Sequence, residues 1–109
     1  MNILEELNEV LSPILPIETG IFSDNPPMEY ITLTPMSDDF ALFADNLPII
    51  EVNNVRIGVF VKGNYVDIAK NITQVLLDAG FTIVYRRFVG HENDTGYNHY
   101  NIDTQKFYL

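Results

Sequence analysis

The chain contains no cysteine and only six lysines and arginines in 109 residues. Without thiols there can be no disulfide, no thiolate nucleophile and no cysteine-ligated zinc. Nothing in it needs an oxidising compartment. The few cations stand against fifteen Asp and Glu, giving a formal net charge of −9. Such a surface repels phosphate backbones and anionic lipid headgroups, which disfavours direct nucleic-acid binding and membrane association. There is no long apolar run and no basic N-terminal region, so neither a signal peptide nor a transmembrane span is expected, and synthesis in the cytoplasm is. Glycine-rich phosphate loops, nucleophile elbows, internal repeats, low-complexity stretches and linkers are also missing.

Hydrophobic residues make up 47% of the chain, which indicates a folded protein. At this length a single domain over residues 1–109 is the natural reading, burying roughly 65% of its unfolded surface. Ile3, Leu7, Val10 and Leu11 form one stripe of a short helix over 2–12, with Glu5 and Glu6 at its dipole-favoured start and Pro13 and Pro16 ending it. Residues 17–22 suggest a short extended piece and 24–27 a turn. Glu29 to Thr34 alternates as a strand, and Pro35 to Asp39 is expected to break it. Phe40 to Ala44 suggests another short strand, with a turn at Asn46 to Pro48. Val55, Ile57, Val59 and Val61 alternate with Arg56, Gly58, Phe60 and Lys62, which predicts a strand with one face in the core.

Asn64 is the expected cap of a second helix over 65–79, with Ile68, Ile72, Val75, Leu76 and Ala79 on one face and Gly80 closing it. Strands at 81–89 and 97–108 should form a hairpin around the loop 90–96. The order of elements predicts an α+β fold: an antiparallel or mixed β-sheet of about four to five strands with two helices packed on it. Ile68, Ile72, Val75, Leu76, Ile57, Val59, Ile83 and Leu7 are the expected core.

Catalytic chemistry is sparsely represented. His91 and His99 are the only histidines, and no serine sits in a motif that would orient a base toward it. His91, Glu92, Asp94 and His99 are the best metal-ligand candidates, but their spacing matches no ligand motif, and a solvated hairpin tip is the plainer reading. Asp38, Asp39, Asp45 and Glu51 lack the spacing and fixed glycine of a calcium loop, so a solvated acidic loop is favoured. Arg86 and Arg87 are adjacent on a strand and point to opposite faces, so they do not form a two-residue anion clamp. One pairs with local acids or faces a partner. No catalytic residue, metal or cofactor is expected.

On the second helix, Val66, Thr73 and Leu77 form a stripe almost opposite the core face. Leu77 alone would be an ordinary exposed leucine, but a subunit contact would use such anchors. With His91, Asp94 and Tyr97 at the hairpin tip, these are the candidate interface residues. Six tyrosines and seven phenylalanines fit either an interface or a core.

Taken in order, several phrases resemble the tail-completion (tail terminator) proteins of long-tailed bacteriophages. They are Pro27-Met28-Glu29-Tyr30-Ile31-Thr32, then Ala44-Asp45-Asn46-Leu47-Pro48-Ile49-Ile50-Glu51 followed by the strand at 55–61. Lys62-Gly63-Asn64-Tyr65 opens the second helix and Asp78-Ala79-Gly80-Phe81 closes it. The last is Glu92-Asn93-Asp94-Thr95-Gly96-Tyr97-Asn98-His99. The set spans roughly residues 27–103, and Gly63, Gly80 and Gly96 in it suit positive φ.

The resemblance implies a virion structural protein at the head-proximal end of the tail. It would form a ring, usually a hexamer, on the last ring of tail-tube subunits, stop tube growth and meet the head connector or head-closure protein. It implies no catalytic residues. Acidity would keep monomers apart in solution, and the loops 36–54 and 90–97 would be the places to order on assembly. Another neck protein of the head-closure type, a host-directed adaptor and a small metal-dependent enzyme remain the competing readings.

Overall fold

The computed structural model describes residues 2–19, 27–44 and 47–108. Among them the order is α1 (Ile3–Leu11), β1 (Ile17–Thr19), β2 (Glu29–Ala44), β3 (Leu47–Val61), α2 (Val66–Asp78), β4 (Thr82–His91) and β5 (Asn98–Tyr108). The strands form one sheet in the order β1-β2-β3-β5-β4. β1 runs parallel to β2 and the other pairings are antiparallel, so the sheet is mixed and the fold is α+β.

α1 begins where Asn2 accepts the Glu5 N–H at 2.9 Å, while its own amide donates to the Glu5 carboxylate at 3.1 Å. Such caps contribute about 1 kcal/mol. Ile3, Leu7 and Leu11 are buried and Val10 packs beside them. α2 closes with the Phe81 N–H bonded to the Leu76 carbonyl and Gly80 at φ +88°, a Schellman-type end that favours glycine. Its start differs from the expected cap. Tyr65 occupies the cap position without a side-chain bond, and Asn64 accepts the Val66 N–H at 2.9 Å from one residue earlier. Gly96 has positive φ, whereas Gly63 does not. The carbonyl of Gly63 instead receives the Asn98 amide at 2.8 Å.

Register places Ile31, Leu33, Val55, Ile57, Val59, Val61 and Ile102 toward the helices, in one core with Leu7, Leu11, Ile72 and Leu76. Of the expected core, Leu7, Ile57, Val59, Ile72 and Leu76 are buried, while Ile68, Val75 and Ile83 are half-buried. Ile83 lies on β4, a strand that is mostly exposed. Lys106, on the helix side of β5, pairs with Glu6 of α1, lies 4.6 Å from the centroid of the Phe81 ring and reaches the Ala79 carbonyl at 3.4 Å. It ties both helices to the last strand.

The largest departure concerns residues 35–54. Pro35 to Asp39 does not break the strand, and 36–54 is not a loop. β2 continues to Ala44 and pairs with β3 from Glu29↔Val61 to Ala44↔Leu47. Proline is tolerated because β1 covers only Ile31 to Leu33, and among the described residues the outer edge of β2 beyond that point has no partner. A residue lacking an N–H costs little on such an edge. Register shifts at Pro35/Ser37 and Phe40/Leu42 take up the irregularity. Pro48, expected in a turn, lies in β3. The expected turn at 24–27 and the continuation of the extended piece to 22 fall largely outside the described residues, as do Asp45 and Asn46.

Candidate assembly surfaces

α2 lies over β4 and buries Ala69, Ile72 and Leu76. Its outer side carries Val66 and Leu77, which are 42% and 50% exposed. Thr73 is committed locally: its hydroxyl donates to the Ala69 carbonyl at 2.8 Å and receives Arg86 Nη1 at 3.4 Å. Leu77 and Thr73 line a shallow groove of about 490 Å³ with Ile83, Val84, Tyr85 and Arg86. Val66 lines a second of about 220 Å³ with Tyr65, Ala69, Lys70, Arg86 and Tyr100. Arg86 divides the two. The helix stripe is therefore half of a larger apolar flank whose other half is β4. Val84, Tyr85, Phe88 and Val89 are all exposed, and Phe88 is propped by stacking on Tyr65 at 4.9 Å.

That half was missed in the sequence. Its signal was the consecutive run Ile83-Val84-Tyr85, because a strand with one buried face cannot bury three successive residues. A bulge at Val84 lets Ile83 face Thr104 while Tyr85 faces Asp103. Arg86 opposes Ile102 on the helix side and Arg87 opposes Asn101 on the other, so the two arginines do diverge.

At the hairpin tip, the Glu92 N–H bonds to the Tyr97 carbonyl at 2.8 Å and the Gly96 N–H to the Glu92 carbonyl at 2.7 Å. His91 and Asp94 are exposed. His91 Nδ1 lies 2.9 Å from the Asn98 amide oxygen. Because His91 opposes Asn98, His99 projects from the other face of the sheet. The turn thus separates the two imidazoles. Among the described residues no three His, Asp or Glu side chains are grouped to hold a metal ion. Tyr97 is buried, and its hydroxyl donates to the Pro27 carbonyl at 2.5 Å. Its place is beneath the tip, where it anchors the turn to the start of β2.

The face without helices carries an aromatic ladder. Tyr30 stacks on Phe60 at 4.7 Å, Phe60 stacks on His99 at 4.1 Å, and Tyr97 meets Tyr30 edge-on at 5.2 Å. Gly58 makes room for it: a Cβ there would lie 2.7 Å from Thr32 Oγ1 and 3.1 Å from Phe60 Cε2. Beside the ladder, Arg56 grips Asp103 through two bonds of 2.8 and 3.1 Å. The bulge residues Met36 and Val84 line a small cavity of about 210 Å³ next to Asp103.

The β2–β3 ribbon is the third surface. Among the described residues β3 pairs with β5 as far as Glu51↔Tyr108, and β2 and β3 continue past that pair as an arm. At ~3.4 Å per residue, the stretch of β3 before Glu51 extends ~14 Å further. The principal extents of 53 × 26 × 23 Å reflect this elongation. Asp38 and Asp39 are exposed on paired strand rather than in an acidic loop, and Asp38 and Glu51 line a groove of about 550 Å³ with Asn2, Leu4, Pro35 and Tyr108.

No described helix is long and apolar enough to cross a membrane. No protein-family model matches the chain, and no curated protein matches its sequence.

Proposed function

We propose that the chain is a ring-forming subunit of a phage tail-completion complex, acting at the junction of tail tube and head. One observation carries the reading beyond the resemblance of its ordered phrases. The fold exposes an apolar flank on α2 and β4 and extends a two-stranded arm past the sheet. Two-stranded ribbons are marginal alone, and contiguous apolar surface marks an interaction site. Those features suit a subunit completed by neighbours. They give no support to an enzyme, since the titratable groups at the hairpin tip diverge. An acidic chain of this kind stays dispersed until a template gathers it.

The test is assembly on a tube. Tail tubes polymerised from a phage tail-tube protein should gain a terminal ring and stop lengthening when the chain is added, as seen by electron microscopy. Tubes that keep growing with no terminal density would refute the reading. Binding to the head connector alone would favour a head-closure role, and capture of a host protein by a chain that ignores tubes would favour an adaptor.

A further inference from the structure

We infer that the β2–β3 arm of one copy docks against the α2–β4 flank of the next copy, joining the subunits head to tail. The inference rests on the ring reading and identifies the surface by which the ring would close. The arm stands beyond the rest of the sheet. Beyond Glu51 its strands pair only with each other among the described residues. Yet its sequence there, Phe40-Ala41-Leu42-Phe43-Ala44 and Leu47-Pro48-Ile49-Ile50, is almost wholly apolar.

The occupant follows from charge. Residues 35–55 contain no lysine or arginine, and Asp38, Asp39 and Glu51 are exposed there. β4 is the reverse: Thr82–His91 contains Arg86 and Arg87 and no acid. Among the described residues the cation–carboxylate pairs are Arg56–Asp103 and Lys106–Glu6, so Arg86 and Arg87 have no carboxylate within reach. In a chain of net charge −9, Arg86 on the Leu77, Val84 and Tyr85 groove, with Arg87 on the other face of the same edge strand, fits an apolar partner segment that carries acids beside it. The arm is such a segment: beyond Glu51 it is apolar, and Asp38, Asp39 and Glu51 stand exposed at its base.

Geometry adds the direction. β4 is an edge strand, with its outer hydrogen-bonding groups unpaired among the described residues, and the arm leaves from strands at the other side of the sheet. Two different patches then meet, a heterologous contact that builds rings when its rotation closes. Exposed strand edges are suited to accept another strand.

The absence of cysteine permits a direct test. Ala44→Cys places a thiol on the arm, and Leu77→Cys places one on the flank. The two single variants are mixed with tail tubes, treated with a short bis-maleimide and resolved by mass. The expected result is a cross-linked heterodimer in at least about tenfold excess over either homodimer, and a ladder of oligomers from the double variant. Arg86→Glu with Arg87→Glu should weaken assembly at least about tenfold, because reversing charges in a contact opposes it. Asp38→Arg with Asp39→Arg in the same chain should restore much of it. Rings from the unmodified chain without arm-to-flank cross-links would overturn this docking while leaving the ring intact. Failure of the unmodified chain to form any oligomer on tubes would overturn both.

Discussion

The imidazole of His99 lies flat on the ring of Phe60, with centroids 4.1 Å apart and planes 19° from parallel. The stack covers one side of the imidazole, and burial lowers its pKa below the ordinary histidine value. A hydrogen bond with the Asn101 side chain and the Glu92 charge oppose this in part, while Arg56 and Arg87 push the same way as burial. A histidine with a lower pKa in the folded state favours folding in its neutral form. That stability is present above the unfolded value of about 6.5 and is lost as pH falls through the folded value. Thermal unfolding between pH 8 and 5 should therefore show a loss of stability on acidification that His99→Phe, which keeps the stack, reduces. An unchanged pH profile in that variant would remove His99 as its source.

Gly58 sets the flatness of the same face. A methyl group there would meet Thr32 Oγ1 at 2.7 Å and the Phe60 ring at 3.1 Å. The threonine hydroxyl can rotate away, but the ring is held between Tyr30 and His99. Gly58→Ala should lower stability by about 1–2 kcal/mol through overpacking, read from urea midpoints at constant slope. Pairing it with Thr32→Ser should not rescue it if the ring is the obstacle.

Glu6 and Tyr108 offer a check at high pH. Burial, with the Glu6 carboxylate adding to it, pushes the Tyr108 hydroxyl up to about 12. Tyrosinate absorbance should show late titration from Tyr108 and from Tyr30, whose hydroxyl burial also raises, and Glu6→Gln should bring the Tyr108 component alone to lower pH. The raised value means that its stability contribution is present below pH ~10 and is lost as pH rises through the folded value. Glu6→Gln also breaks the ion pair with Lys106, so melting temperature at neutral pH should fall with it.

What could be read in advance follows from which residues have a buried side. Val55 to Val61 alternates because every second side chain enters the core, and Ile72 and Leu76 recur at helical spacing for the same reason. The arm gave no such pattern. Pro35, Ser37, Asp38 and Asp39 look like breakers because among the described residues nothing covers that exposed stretch of β2, and local chemistry outweighs periodicity there. The candidate surface was half legible. Leu77 and Val66 stood out against the helix stripe, whereas Tyr85 and Phe88 depend on a bulge and a pairing register that no local pattern records. The His91–His99 separation and the Tyr30–Phe60–His99 ladder are likewise products of long-range register.

Leu77 allows fold and assembly to be separated in one residue. It is half exposed on α2, points away from Ile72 and Leu76, and lines the groove with Val84 and Tyr85. Leu77→Asp adds a carboxylate to a solvated position near the end of α2, where the dipole slightly disfavours it. The cost to folding should stay within about 0.5 kcal/mol, as for most surface changes. In a packed contact the same carboxylate would lose water without gaining a donor, a penalty of several kcal/mol by rough estimate. Arg86 lines the same groove and could offset part of that, so Leu77→Asp with Arg86→Ala is the stricter variant. The paired measurement is thermal unfolding of each variant beside complementation of a phage lacking the gene. The expected outcome is a melting temperature close to the unmodified chain and a loss of completed tails of at least about a hundredfold, since ~2.7 kcal/mol already corresponds to that ratio. Normal tail yield from a well-folded variant would take the α2 flank out of the interface and leave the arm and the hairpin tip at 92–97 as the surfaces that join subunits.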